Sequence, residues 1–328
     1  MEIYHADNSP IVVIGFNRPE HLRRTLDALA KCIGFKNSKV LIFLDGPRDH
    51  IDEALCKKVK SVCEKFSWDK PNVKLKVRNQ NLGLAKNITN AITEVISKYK
   101  KIIVLEDDLI VSPVFIEFMN LGLQKYEKNS KIWHLSGWSP ELPVATEDIY
   151  CSEKMFCWGW ATWSDKWEYY SKDTNRMISE WNPKAIHQFN YESTANHWNQ
   201  ILFNHLNITN TWAVFWAASI FDNNGLCVNP KKSLVKNIGF DGSGMNFLSG
   251  YQKQIDQLVM DIMPNLDLKV LEERKDVRWG LRQFLSGNKT KVEILVMRFL
   301  TRNGFYTQLI LSVFRFKFLR NIIMKLRS

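Results

Sequence analysis

Between residues 11 and 108 the hydrophobic pattern switches repeatedly between two periods, and that alternation restricts the fold more than any other feature. Ile11-Val12-Val13-Ile14-Gly15-Phe16, Val40-Leu41-Ile42-Phe43-Leu44, Val73 to Val77 and Lys101 to Leu105 are short, apolar, largely β-branched runs. Their length and composition are those of buried strands. Between them lie stretches of helical period: one opened by Pro19 with Leu22, Leu26 and Leu29, one from Ile51 to Phe66, one from Leu84 to Tyr99. A proline suits the first turn of a helix, where its missing N–H costs nothing. Parallel strands need a long crossover, and a right-handed helix supplies it. The pattern predicts an α/β protein: a Rossmann-like, mostly parallel sheet with helices on both faces. No GxGxxG follows the first run, so the dinucleotide fingerprint is missing.

In an open α/β sheet, ligands bind in the crevice outside the carboxyl ends of the strands. Each run here ends in polar residues. The fourth ends in Glu106-Asp107-Asp108, three adjacent carboxyls that raise one another's pKa unless a cation joins them. Hard ions such as Mg²⁺ and Mn²⁺ take carboxylates together with substrate phosphates. Asp108, with Asp107 and Glu106 beside it, is therefore expected to hold a metal bound to a nucleotide diphosphate. Asn17 and Arg18 follow the first run and are candidates for a base and ribose, as is Asp45 at the end of the second. The segment Arg78-Asn79-Gln80-Asn81-Leu82-Gly83-Leu84-Ala85-Lys86 follows the third. Gly83 permits a tight turn into a helix whose first amides, with Arg78 or Lys86, suit a diphosphate. Each cluster has a plainer explanation, Asn17 and Asn81 as turn formers, Asp45 as a turn residue before Gly46-Pro47, and Arg78 as a surface charge. Their convergence carries the weight.

The 328 residues include 45% hydrophobic ones, enough for a full core. Six cysteines without a CxxC pair suggest reduced thiols. Neither a signal peptide nor a membrane-spanning run is read from the sequence. Of the net charge of +11, the span from Lys289 to Ser328 holds nine Lys or Arg and one acid, Glu293. Large apolar residues alternate with these cations at helical spacing, the composition of a helix lying on an anionic membrane surface. The other reading is a helical pair docked on the main body with its cationic face in water. Ten of the twelve tryptophans fall between Trp133 and Trp216. Trp158, Trp160 and Trp163 are candidates to stack on sugar rings, although most of such a cluster must be core. Three parts are expected: 1–130 binding nucleotide, 131–288 binding acceptor, and a basic tail, 289–328.

Asn17-Arg18-Pro19, Asp45-Gly46, Asn81-x-Gly83-Leu84-x-x-Asn87 and Glu106-Asp107-Asp108 together resemble a GT-A glycosyltransferase, the acidic triplet being similar to that of the N-acetylglucosaminyltransferase I group. The second half resembles bacterial sugar transferases of surface-polysaccharide clusters through Gly137-Trp138, Cys157 to Trp163, and Ser233 to Gly244. This resemblance implies a nucleotide-sugar donor, usually a UDP-sugar, and Mn²⁺ or Mg²⁺ on Asp108; the basic tail adds the expectation of a lipid-linked or oligosaccharide acceptor and of a cytoplasmic protein peripheral to the inner face of the membrane. For an inverting enzyme the general base is expected to be Asp165, or else Asp241. The chain departs from these relatives at Asn210, Phe215 and Asn246, where aspartate, arginine and histidine are common, which leaves reduced activity as an alternative. A nucleic-acid-binding protein is disfavoured because the charge lies in an apolar tail. A nucleotidyltransferase is disfavoured because the first loop has no glycine-rich phosphate clamp.

Overall fold

The computed structural model describes residues 8–143, 147–241, 261–287 and 289–315. The β-branched runs become strands and the amphipathic ones helices, in the order β1 (Ile11–Gly15), α1 (Pro19–Ala30), β2 (Val40–Leu44), α2 (His50–Ser67), β3 (Val73–Val77), α3 (Leu84–Tyr99) and β4 (Lys101–Glu106). Then come β5 (Leu109–Val111), α4 (Phe115–Lys125), β6 (Ile132–Ser136), β7 (Ile149–Ser152), β8 (Trp160–Trp163) and the short helices α5 (Ser164–Trp167), α6 (Thr174–Glu180) and α7 (Pro183–Phe189). The rest comprises α8 (His197–His205), α9 (Ala213–Asp222), β9 (Leu226–Pro230), β10 (Val235–Asn237), α10 (Lys275–Ser286), α11 (Lys291–Arg302) and α12 (Phe305–Arg315).

The central sheet has eight strands in the order β3-β2-β1-β4-β8-β6-β9-β7. Strands β3, β2, β1 and β4 run parallel, and β8 joins β4 antiparallel. Four of its strands thus come from beyond residue 130, and the boundary expected there does not divide the sheet. Alternate residues of β1 face opposite sides: Ile11 and Val13 pack into the core under α1, α2 and α4, Val12 and Ile14 into the one under α3 and α9. Burial on both faces is why β1 reads as an unbroken apolar run.

The tail is docked. Thr301, Tyr306 and Leu311 are buried, and Trp198 Nε1 donates to Thr307 Oγ1 at 2.9 Å. One side of α11 and α12 is thus packed on the main body, while residues 316–328 lie outside the described residues.

Candidate active site

The parallel strands bring the ends of β1, β2, β3 and β4 to one edge of the sheet, and the neighbours of β4 complete the site. A second sheet of two strands, β5 paired antiparallel with β10, folds back beside the acidic triplet. Ile238 N donates to Asp108 O at 2.8 Å, so the chain after β10 is laid against the acids. Thr25 Oγ1 donates to Asp107 O at 2.8 Å and accepts from Leu109 N at 3.1 Å, fixing the turn between β4 and β5 from α1.

Arg18 fills the space between the two aspartates. Its Nη2 donates to Asp108 Oδ2 at 2.9 Å and also to Asp107 Oδ1. These groups are largely buried, with 20% of the Arg18 side chain exposed, 7% of Asp107 and 15% of Asp108. Burial pushes the Asp107 carboxyl up to about 6 against the pull of Arg18. Burial and the two neighbouring aspartates push Glu106 up to about 8. One guanidinium thus supplies the counter-charge that the sequence assigned to a metal. Carboxylate oxygens have the right chemistry for Mn²⁺ or Mg²⁺, but the pair is already bonded to Arg18, and the described residues hold no group of three or more metal-ligating side chains. With Arg18 in place the two carboxylates are taken up, and they would fit the ion only once the guanidinium moves aside. Asp108, expected to hold a metal, is here bonded to Arg18, and Arg18, expected beside a base and ribose, is a partner of the acids.

The close approach of backbone to Asp108 explains one glycine. A Cβ built on Gly239 would lie 2.2 Å from Asp108 Oδ2 and 3.0 Å from Arg18 Nη1. Two residues on, Asp241 Oδ2 lies 3.1 Å from His21 Nε2, on the helix that follows Arg18 and carries Thr25. His21 was not singled out in the sequence. Its only signal is its place three residues after Arg18, one turn along a helix that starts at the site. The expected residues Gly242 to Gly244 and Asn246 lie outside the described residues.

At the ends of β2 and β3 the side chains tie loops together. Asp45 Oδ1 accepts from Gly46 N at 3.0 Å and Leu82 N at 2.8 Å, and Oδ2 from Asn81 Nδ2 at 3.3 Å. Asn17 Nδ2 donates to Asp52 Oδ1 at 2.8 Å. Both were expected to contact a base or ribose; Asp45 instead holds two loops in register, and the amide nitrogen of Asn17 is committed to α2. Arg78 Nε donates to Asn87 Oδ1 at 3.2 Å, and its guanidinium lies 5.2 Å from the centre of the Phe43 ring. Its Nη2 and the neighbouring Asn87 Nδ2 are buried donors without a partner. Such groups are costly to leave unmade, and they mark where an acceptor would bind. Gly83, at φ +75°, begins α3, a helix with no acid in its first turn. Asn79, Leu84 and Lys86 are exposed.

Asp165 lies away from the acids. Strand β8 is antiparallel to β4, with Trp163 opposite Lys101, so the chain after Trp163 leaves at the edge where β4 begins. At about 3.3 Å per strand residue, that is roughly 20 Å from the acids at its other end. There Asp165 is half exposed and pairs with Lys166 at 2.9 Å.

Of the three candidate tryptophans, Trp160 is fully buried and stacks on His134 and Trp212, and Trp163 is buried with its Nε1 donating to Leu123 O. Only Trp158 turns toward the site, its ring 5.5 Å from that of Phe240. Burial raises the Cys157 thiol to about 12, which leaves it protonated and unfit as a nucleophile. Asn210 accepts from Lys172 at 2.5 Å on the exposed surface, and Phe215 is fully buried.

Residues 11–130 match the family described as glycosyl transferase family 2. Among solved structures, the chain is similar to S. aureus TarS, at 16% identity and a TM-score of 0.31, over 39% of this chain and 21% of that one. It is also similar to the mannosyltransferase PcManGT from Pyrobaculum calidifontis, in complex with GDP-Man and Mn²⁺, at 10% identity and a TM-score of 0.38, over 66% of this chain and 70% of that one. No curated protein matches significantly.

Proposed function

We propose that this chain, a glycosyltransferase of the GT-A fold, moves a sugar from a nucleotide-sugar donor, a UDP-sugar in this reading, to a saccharide acceptor of a bacterial surface polysaccharide or lipopolysaccharide. The observation that carries the donor reading is the pair of unpartnered buried donors, Arg78 Nη2 and Asn87 Nδ2, at the same sheet edge as the Arg18–Asp107–Asp108 cluster. Carbonyl oxygens of a pyrimidine, or a ribose hydroxyl, would satisfy those nitrogens.

In the transfer, the acceptor hydroxyl oxygen bonds to the anomeric carbon as the bond from that carbon to the diphosphate breaks. Negative charge grows on the departing phosphate, and a proton must leave the acceptor. Cationic groups at this edge include Arg18, Arg78 and Lys86, supported by the first amides of α3, whose glycine start leaves them open. Asp241, half exposed beside His21, is the carboxylate suited to take the acceptor proton. A divalent ion would reach Asp108 only in exchange for Arg18, so metal dependence is a contest between two cations for one pair of carboxylates.

The test is a screen of nucleotide sugars against wild type and Arg78→Leu, read by binding calorimetry and by release of nucleoside diphosphate. UDP-sugars should bind the wild type and lose at least tenfold in affinity in the variant, with unchanged circular dichroism. Equal binding by both proteins would refute the assignment of Arg78.

A further inference from the structure

Helix α11 buries only one side. Thr301 is buried, and Met297 and Leu300 pack on the core beneath it. The opposite side exposes Val292 (68%), Leu295 (60%), Val296 (51%) and Phe299 (64%). Positions i, i+3, i+4 and i+7 form one stripe on a helix. At the start of α12, Phe305 (61%) and Leu309 (45%) continue the exposed apolar surface. Single exposed hydrophobic residues need no explanation, but a run of six over two consecutive helices does.

The charges decide what kind of surface this fits. Lys291 and Arg302, at i and i+11, are exposed along one flank of the apolar stripe, with half-buried Arg298 between them donating to Glu192 O. The only acid of α11, Glu293, is turned back into a capping box with Thr290. A protein partner with an apolar ridge would satisfy the stripe alone. Cations flanking an exposed apolar stripe match the boundary between acyl chains and anionic headgroups, where lysine and arginine reach outward while the apolar side chains enter. None of the helices among the described residues is long and apolar enough to cross a membrane, so the contact lies in the interface plane.

We infer that the exposed face of α11, continued by Phe305 and Leu309, is a docking surface for an anionic lipid bilayer. This inference stands apart from the donor site: the face is formed by helices that pack on α7 and α8, and none of its residues belongs to the cluster around Arg18.

The experiment is co-sedimentation of the full chain with vesicles of phosphatidylcholine alone and of phosphatidylcholine with phosphatidylglycerol, at low and high salt. Three proteins are compared: wild type, Leu295→Asp/Phe299→Asp, and Lys291→Glu/Arg302→Glu. All four positions are exposed, so circular dichroism and melting should be unchanged. Wild type should bind the anionic vesicles, less so as salt rises, and each double variant should lose at least tenfold in affinity. Wild type failing to bind, binding both vesicles equally, or being matched by either variant would overturn the inference. So would a wild-type dimer that Leu295→Asp/Phe299→Asp dissociates, because a second copy of the chain would then cover the stripe.

Discussion

Arg18 Nη2 lies 2.9 Å from Asp108 Oδ2 at the end of the strand that carries the acidic triplet. The same guanidinium holds Asp107, so removing it strands two carboxylates in a largely buried place. Breaking a buried pair by taking one partner costs about 3 kcal/mol or more. Arg18→Gln should melt at a lower temperature than wild type and bind Mn²⁺ at least tenfold more tightly, with Mn²⁺ restoring much of the lost melting temperature. Manganese titration followed by electron paramagnetic resonance checks this. Equal affinity in both proteins would mean that Arg18 does not compete for the site.

A methyl group at position 239 would sit 2.2 Å from Asp108 Oδ2. Gly239→Ala must therefore push the chain after β10 away from the acids or split Arg18 from Asp108. Donor affinity should fall at least tenfold. Calorimetry with UDP reads the effect, and an unchanged constant would show that this close approach is irrelevant to binding.

Asp165 stands at the opposite edge of the sheet, paired with Lys166 and half exposed. Exposed pairs of this kind contribute about 0–1 kcal/mol. Asp165→Ala should keep turnover within about twofold of wild type and barely move the melting temperature, whereas Asp241→Asn should lower kcat by at least tenfold. A large loss in the Asp165 variant would reinstate it as the base.

His134 gives the fold an acid limit. Trp216 Nε1 donates to its Nδ1 at 3.2 Å, so that nitrogen is unprotonated and Nε2 carries the hydrogen, directed at Phe156 O at 3.0 Å. Burial lowers its pKa to about 3. The unfolded chain takes up a proton below its ordinary pKa near 6.5 while the folded one does not, so stability is complete above that pH and is lost as pH falls from there toward 3. The slope is about 1.4 kcal/mol per pH unit for one group. Urea unfolding at pH 7.5 and pH 5 should show a loss of about 2 kcal/mol from His134. Burial also holds His197 well below its ordinary range, which adds to the loss. His134→Gln should flatten the dependence, and an unchanged slope would contradict this assignment.

The first half of the fold was legible because its signals are local. Strand β2 at Val40–Leu44, β3 at Val73–Val77 and helix α3 at Leu84–Tyr99 fall where their apolar periods place them. The second half was not, because its strands join by long-range pairing: β5 and β10 are three residues each and find one another across more than a hundred residues. That pairing sets Gly239 beside Arg18 and Asp241 beside His21, and no spacing in the sequence announces it. Asp165 failed for the same reason, since the direction of β8 relative to β4 is a property of the sheet. Arg18 lies at the end of its strand as the pattern predicts, but its bond to Asp107 and Asp108 was not legible, because pattern can bring a guanidinium to a strand end without saying which anion it meets.

The most direct test of the donor reading is a crystal structure of the chain grown with UDP. UDP should lie at the carboxyl edge of β1, β2, β3 and β4, with its base or ribose within hydrogen-bond distance of Arg78 and its phosphates facing Arg18, Lys86 and the start of α3. UDP bound elsewhere, or Arg18 still closed on Asp107 and Asp108 with no nucleotide at that edge, would contradict it.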